Sequence, residues 1–380
     1  TNLRDSGEGL KKSIKIPNTS GRHISRIYHG RKKYEASLDR TLRHTVAYPI
    51  DPAGVSGIDS AHTMILDKLT AQGIRITSIT DRLHVIHGNN RGRTPFANAF
   101  LVLDKVNVLF DTGCGHDIIG KILSLTGIDR VYVSHSHLDH TAGSRLIQDL
   151  SGAEIVVPAE AGSSIAQTEL LAVRFVGEPL VKVWMETYPP ITGFQDFTIG
   201  STFSHGQEIS TGSLRFVALH TPGHLIDHYC LWEPDERILL GFDIDLSPFG
   251  PWYGNPESDI PAFRRSVVEI QALPAETYLS SHARPLKTPY IAKRLNAYAS
   301  FFEERDEQIL GLLARGELKG IEEIVRLSPF YSADHSQHDR MLWFGEEQMV
   351  KKHLQALLER GLIVQENDLY RIRKESEKEY

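Results

Sequence analysis

The segment Val131-Tyr132-Val133-Ser134-His135-Ser136-His137-Leu138-Asp139-His140 constrains this chain more tightly than any other ten residues. It places three histidines and an aspartate within six positions, directly behind an apolar run suited to a strand. Alternate side chains of an extended backbone share one side, so His135 and His137 can reach the same ion. Asp139 and His140 are adjacent and diverge once the chain turns there, which suits two neighbouring ions that each need their own ligands. A histidine-rich surface turn has no reason to follow a buried strand, so a metal centre is the stronger reading.

Composition sets the frame for that centre. At 380 residues the chain is long enough for about two domains. With 41% hydrophobic and 24% charged residues it is neither collagen-like nor wholly disordered. No apolar run approaches the ~18 residues of a membrane span. Cys114 and Cys230 are too few for a disulfide framework, so a cytoplasmic protein without a membrane partner is expected. The net charge of −6 is unevenly spread: residues 1–45 hold eleven Lys and Arg against four acids, a +7 arm that leaves −13 for the remainder. Such an arm is expected to be solvated or packed on a partner chain.

Short strands are predicted at Ile74–Thr77 and Leu83–Ile86, and a hairpin at Ala97–Leu103 and Val106–Phe110 around Asp104-Lys105. Helical and strand-like stretches then alternate in two successive sets up to Leu279, which implies α/β layering. In the last 80 residues, helices are predicted at Phe301–Arg315, Glu322–Leu327 and Glu346–Arg360, followed by a hairpin of Leu362–Val364 and Leu369–Ile372, a winged-helix pattern.

The His-x-His-x-Asp-His motif behind a hydrophobic strand resembles the metal-binding signature of the metallo-beta-lactamase-fold hydrolases. Asn98–Leu103 followed by Val108-Leu109-Phe110-Asp111-Thr112-Gly113 is similar to that family's early hairpin and Asp-Thr-Gly loop. His220-Thr221-Pro222-Gly223-His224, Asp243 and His282 then match its later motifs in order, so the resemblance covers about residues 74–290. With His224-Leu225-Ile226-Asp227-His228 and the C-terminal pattern, the chain is similar to one branch that holds acyl hydrolases and an endoribonuclease. The resemblance implies a four-layer αβ/βα sandwich. Residues 1–65 would form a basic N-terminal extension, 66–295 the catalytic domain and 296–380 a small winged-helix-like domain. Four residues depart from the family pattern. Phe242 stands where glycine usually precedes the bridging acid, Leu225 replaces a common threonine, and Ser281 and Ala283 flank the last histidine in place of glycines.

The expected ligand sets follow from these matches. His135, His137 and His224 would hold one divalent ion, Asp139, His140 and His282 a second, and Asp243 would bridge them, with Asp245 two residues on as an alternative or additional bridge. Imidazole and carboxylate without thiolate suit zinc first, with iron and manganese as alternatives. Two cations sharing a water lower its pKa from ~15.7 towards ~7, and the resulting hydroxide attacks a carbonyl or phosphoryl centre. Asp139 would orient that nucleophile. Asp111, Asp227 and His228 are expected to hydrogen-bond the ligands rather than bind metal.

Substrate selection is expected in loops between the motifs, where Trp184, Phe249, Trp252 and Tyr253 could wall an apolar pocket. Two activities compete: hydrolysis of a small thioester, ester or lactone-like carbonyl compound, and metal-dependent endoribonuclease or phosphodiesterase action. Charge favours the first. Residues 301–380 hold 12 basic and 17 acidic side chains, the wrong sign for reading phosphates. The tail is therefore read as a cap that completes the site wall or as a homodimer contact.

Overall fold

The computed structural model describes residues 60–314, 318–331 and 340–374. The basic arm, and His335 and His338, lie outside the described residues. After helix α1 (Ser60–Ala71) comes a seven-stranded sheet in simple sequence order: β1 (Ile76–Ser78), β2 (Leu83–Ile86), β3 (Ala99–Val102), β4 (Val108–Phe110), β5 (Arg130–Tyr132), β6 (Glu154–Pro158) and β7 (Ser201–Phe203). Strands β1 to β4 pair antiparallel and β4 to β7 parallel. The parallel crossovers carry α2 (His116–Leu125), α3 (Ser144–Ser151), α4 (Thr168–Val176) and α5 (Val181–Thr192). A six-stranded sheet follows, ordered β13 (Leu286–Lys287), β12 (Thr277–Ser280), β11 (Ile238–Phe242), β10 (Tyr229–Glu233), β9 (Arg215–His220) and β8 (Glu208–Ser210), with β11 and β12 parallel.

Period-two alternation sorts the first sheet's side chains into two cores. Phe100, Phe110, Tyr132 and Val156 join Phe216, Tyr229, Leu231 and Phe242 of the second sheet in one cluster between the sheets. Their sequence neighbours Leu101, Leu109, Val131 and Ile155 point the other way, into a cluster with the helices α2 to α5. The second sheet's outer face packs on α6 (Ile260–Gln271) and α7 (Tyr290–Leu313). Apolar burial on both faces is why these strands read as continuous hydrophobic runs. The expected four layers are present, helices outside and two sheets inside.

Two local expectations need correction. Trp184 lies in helix α5, together with Met185, Tyr188 and the Pro189-Pro190 pair, rather than in a loop. The prolines sit in its last turn, and the helix ends at Thr192, three residues past Pro189, with Gly193 following at φ 78°. The helix predicted at Phe301–Arg315 is the second half of the 24-residue α7, which passes without a break through residues 295 and 296. Beyond it lie α8 (Ile321–Arg326), α9 (Arg340–Glu359) and an antiparallel sheet of β14 (Lys319–Gly320), β16 (Leu369–Ile372) and β15 (Ile363–Glu366). Ile324, Leu354 and Ile363 of this tail share one hydrophobic cluster with Phe263 and Tyr298.

Candidate metal centre

The motif residues converge at one edge of the sandwich, beyond the C-terminal ends of β4, β5, β11 and β12 and in the β9–β10 connection. Strand β5 ends at Tyr132, and a single helical turn begins at Leu138 with His137 at its N-cap. His135 and His137 therefore lie side by side, ring centroids 4.9 Å apart, while the turn redirects Asp139 and His140. The Asp-Thr-Gly loop presses against that turn. A Cβ at Gly113 would lie 1.5 Å from the Asp139 carbonyl oxygen, so only glycine fits. Phe242, at φ 46°, carries the chain through a bulge in the β11–β12 pairing to present Asp243.

Two ligand clusters result. His135, His137, His224 and Asp243 each offer an atom, all within 4.8 Å of one another, and so do Asp139, His140 and His282. Asp243 faces both. Its Oδ2 lies 3.4 Å from His224 Nε2 and 3.8 Å from His135 Nε2, while its Oδ1 lies 3.1 Å from His140 Nε2 and 3.3 Å from His282 Nε2. Asp245 belongs to neither cluster; its Oδ1 accepts the Ser247 N–H at 3.0 Å.

Each histidine is oriented by a bond at its outward nitrogen. His140 Nδ1 donates to Asp111 at 2.6 Å, His224 Nδ1 to the Trp252 carbonyl at 2.9 Å and His282 Nδ1 to the Gly92 carbonyl at 2.7 Å. His135 Nδ1 bonds the Ser134 hydroxyl at 2.9 Å, and Ser134 in turn donates to Asp111. His137 is turned round: its Nε2 meets Asn255 Oδ1 at 2.9 Å, which leaves Nδ1 facing inward. These outer bonds fix the orientation of each ring and turn one nitrogen of every imidazole inward.

Burial pushes His135 well below the ordinary histidine value, His137 down to about 4 and His224 down to about 3, so their imidazoles are neutral. Burial opposes charge on Asp243, but His140 and His282 beside it hold its carboxyl well below the usual range. His140 Nε2 and Asp243 Oδ1 are buried and make no hydrogen bond despite facing each other. Inward imidazole nitrogens around a carboxylate, with orphaned polar atoms between them, are the donor set of a cation site, and divalent ions that displace the remaining protons fit it.

Comparison with known proteins agrees with this geometry. The family model for the metallo-beta-lactamase superfamily matches residues 92–282, half of the chain. The chain belongs to that superfamily. It is 27% identical over 255 residues to lactamase-like protein aptB of Emericella nidulans, covering 64% of this chain and 70% of that protein. It is 26% identical to a hydroxyacylglutathione hydrolase of Methylobacterium sp. over 54% of this chain and 72% of the relative. A crystal structure of a metallo-beta-lactamase family protein from Thermus thermophilus superposes with a TM-score of 0.61 at 19% identity, over 78% of this chain and all of that one, so the fold is shared. Members of the superfamily are mostly hydrolases.

The supporting residues are placed less uniformly than the ligands. Asp111 sits at φ 60° and touches His140 directly. Asp227 touches no ligand side chain: it accepts from Ser136, between His135 and His137, and pairs with Arg174 at 3.2 Å. His228 acts on backbone, accepting the Asp243 N–H at 3.2 Å. A cavity of about 280 Å³ opens over the clusters, and Trp184, Phe249 and Trp252 are among the residues that line it. Tyr253 does not. It is fully buried on the far side of the wall, its hydroxyl 2.6 Å from His353 Nε2, because neighbouring residues of an extended strap face opposite ways.

The bonds from the strap 249–255 to the histidines, and the individual residues of the C-terminal wall, were not named from the sequence. Trp252 and Asn255 orient His224 and His137, and the strap is tied down from the tail. Arg305 donates to the carbonyls of Phe249 and Pro251, Lys352 to that of Asn255 at 2.7 Å, and Trp252 Nε1 donates to the Tyr331 hydroxyl. Phe330, Tyr331, Met341 and Phe344 complete the cavity wall. No motif announces such residues; Asn255 within Gly-Asn-Pro reads as an ordinary turn.

Proposed function

We propose that this chain is a dinuclear metal-dependent hydrolase of small carbonyl compounds, thioesters, esters or lactones, with zinc as the preferred ion. The observation that carries the reading is the Asp243 carboxylate, one oxygen turned to each histidine cluster, at the floor of an apolar cavity. His135, His137 and His224 would hold one ion and Asp139, His140 and His282 the other. Ions bound there supply a water acidified towards neutrality and Lewis-acid support for a developing oxyanion. The chain's own part is to hold the ligands, keep bulk water out with the aromatic walls, and orient the attacking water through Asp139, whose carboxylate lines the cavity. Hydrolysis then breaks the acyl C–S or C–O bond: the acid keeps the water's oxygen and the leaving group takes a proton. The relative named as a hydroxyacylglutathione hydrolase supports a thioester. The acidic tail supports a winged-helix-like cap of the site over a nucleic-acid reader.

Metal analysis combined with a substrate panel tests this. Acyl-CoA and glutathione thioesters, aryl esters and lactones should turn over with about two divalent ions bound per chain, while bis-p-nitrophenyl phosphate and single-stranded RNA stay intact. His135→Ala should remove activity by several orders of magnitude. RNA cleavage without carbonyl turnover would overturn the proposal.

A further inference from the structure

Arg174 on helix α4 is neither a ligand nor a wall of the cavity, yet it bonds the segments that carry His135, His137 and His224. Its Nη1 donates to the Ser136 hydroxyl oxygen at 2.8 Å, between His135 and His137. Its Nη2 pairs with Asp227 Oδ1 at 3.2 Å, three residues past His224, and Ser136 donates to the other oxygen of that carboxylate. Nε and Nη2 together fork onto Glu257, both at 2.7 Å. Glu257 stands between two residues that hold the rings. Asn255 Oδ1 meets His137 Nε2 at 2.9 Å, and the Ser258 hydroxyl donates to the His224 carbonyl at 2.7 Å. Ser136 and Asp227 are fully buried. Among the described residues, the remaining hydrogen bonds of Arg174 go to the Ala161 carbonyl and the Ser164 hydroxyl, and none to Asp139, His140 or His282. A planar guanidinium holds several acceptors in one fixed arrangement, which an ammonium cannot do.

We propose that Arg174 is a positioning residue for one ion only. It locks Ser136, Asp227 and Glu257 into the arrangement that turns His135, His137 and His224 towards a common point, and the Asp139, His140 and His282 cluster stands without it. This rests on the two-ion reading above and deepens it, because the two ions then have separate supports. Bonds behind a metal ligand set its orientation and so the affinity of the ion it holds.

Zinc titration of the full-length protein against a chromophoric chelator reads each cluster alone once the other has lost a ligand. In a His282→Ala background, Arg174→Met should weaken zinc binding about 10- to 100-fold. In a His224→Ala background the same substitution should leave the affinity within about twofold. Arg174→Lys keeps the charge beside buried Asp227 and serves should the methionine variant fail to fold. It cannot hold all three acceptors at once, so it should weaken the same cluster alone, about three- to tenfold. In the ion-free protein, the imidazole NMR signals of His137 and His224 should shift on Arg174→Lys while that of His282 stays in place. Unchanged zinc affinity in the His282→Ala background for either variant, or equal weakening in both backgrounds, would overturn the proposal. If neither background bound zinc, the two-ion reading would fall, and unmoved His137 and His224 signals would take the Arg174 assignment with it. The affinity split without carbonyl turnover would defeat the hydrolase reading alone.

Discussion

The histidines of the centre divide by their neighbours. His137 and His224, pushed down by burial to about 4 and about 3, offer free lone pairs at pH 7. For His282 burial also opposes charge, but the adjacent Asp243 carboxylate lifts it to about 9 in the ion-free protein. That lies above the ordinary value of about 6.5. The His282–Asp243 pairing therefore contributes stability in full below about pH 6.5 and loses it as pH rises through about 9. An ion held by Asp139, His140 and His282 must displace that proton, so its affinity rises over the same window while the other cluster's stays level. Chelator competition at pH 7 and pH 9 should find one site tightening and one unchanged. Both tightening in parallel would contradict the division. The ligands themselves were legible because alternation in a strand followed by a turn fixes where neighbouring side chains go. Their outward partners were not: a Trp252 or Gly92 carbonyl is the same in any sequence, and only the folded chain brings it to an imidazole.

Among the elements, the strap 249–255 links the tail to the ligands. Its anchor Arg305 is buried, and its guanidinium sits over the Phe249 ring, 5.0 Å from the centroid, while bonding the strap's carbonyls. Hydrogen bonds from a charged donor are worth roughly 1.5–3 kcal/mol each. Arg305→Met should therefore cost about 2–4 kcal/mol in urea unfolding. It should also weaken ion binding by His135, His137 and His224 about tenfold or more, because Trp252 and Asn255 orient two of those rings. Equal weakening at the Asp139 cluster would show a general rather than a transmitted effect. Phe242 illustrates a different limit of sequence reading. A bulky residue in the left-handed region costs roughly 1–3 kcal/mol. Here its ring fills the core between the sheets, edge-on to Phe100 with centroids 5.5 Å apart. The departure from glycine thus exchanges backbone ease for packing, which no motif match could weigh.

At the scale of the molecule, the outer core of the second sheet runs without a break into the tail, from Phe263 and Tyr298 to Ile324, Leu354 and Ile363. Scanning calorimetry of the ion-free protein should accordingly give one transition for catalytic layers and tail together, with calorimetric and van't Hoff enthalpies equal. An early, separate melting of the tail would count against a shared core. The described structure has no helix long and apolar enough to cross a membrane, and Cys114 and Cys230 are buried free thiols. The sequence by itself determined the α/β layering and singled out the histidines and acids that come together as two candidate ligand clusters, since period-two apolar runs and short-range spacing are local properties of a chain. Tertiary structure alone decided which face Tyr253 takes, that Asp243 rather than Asp245 faces both clusters, and which residues of the tail line the cavity and tie down the strap that orients His137 and His224. Those outcomes depend on contacts between residues a hundred or more positions apart, and nothing in local patterning encodes where two such segments finally meet.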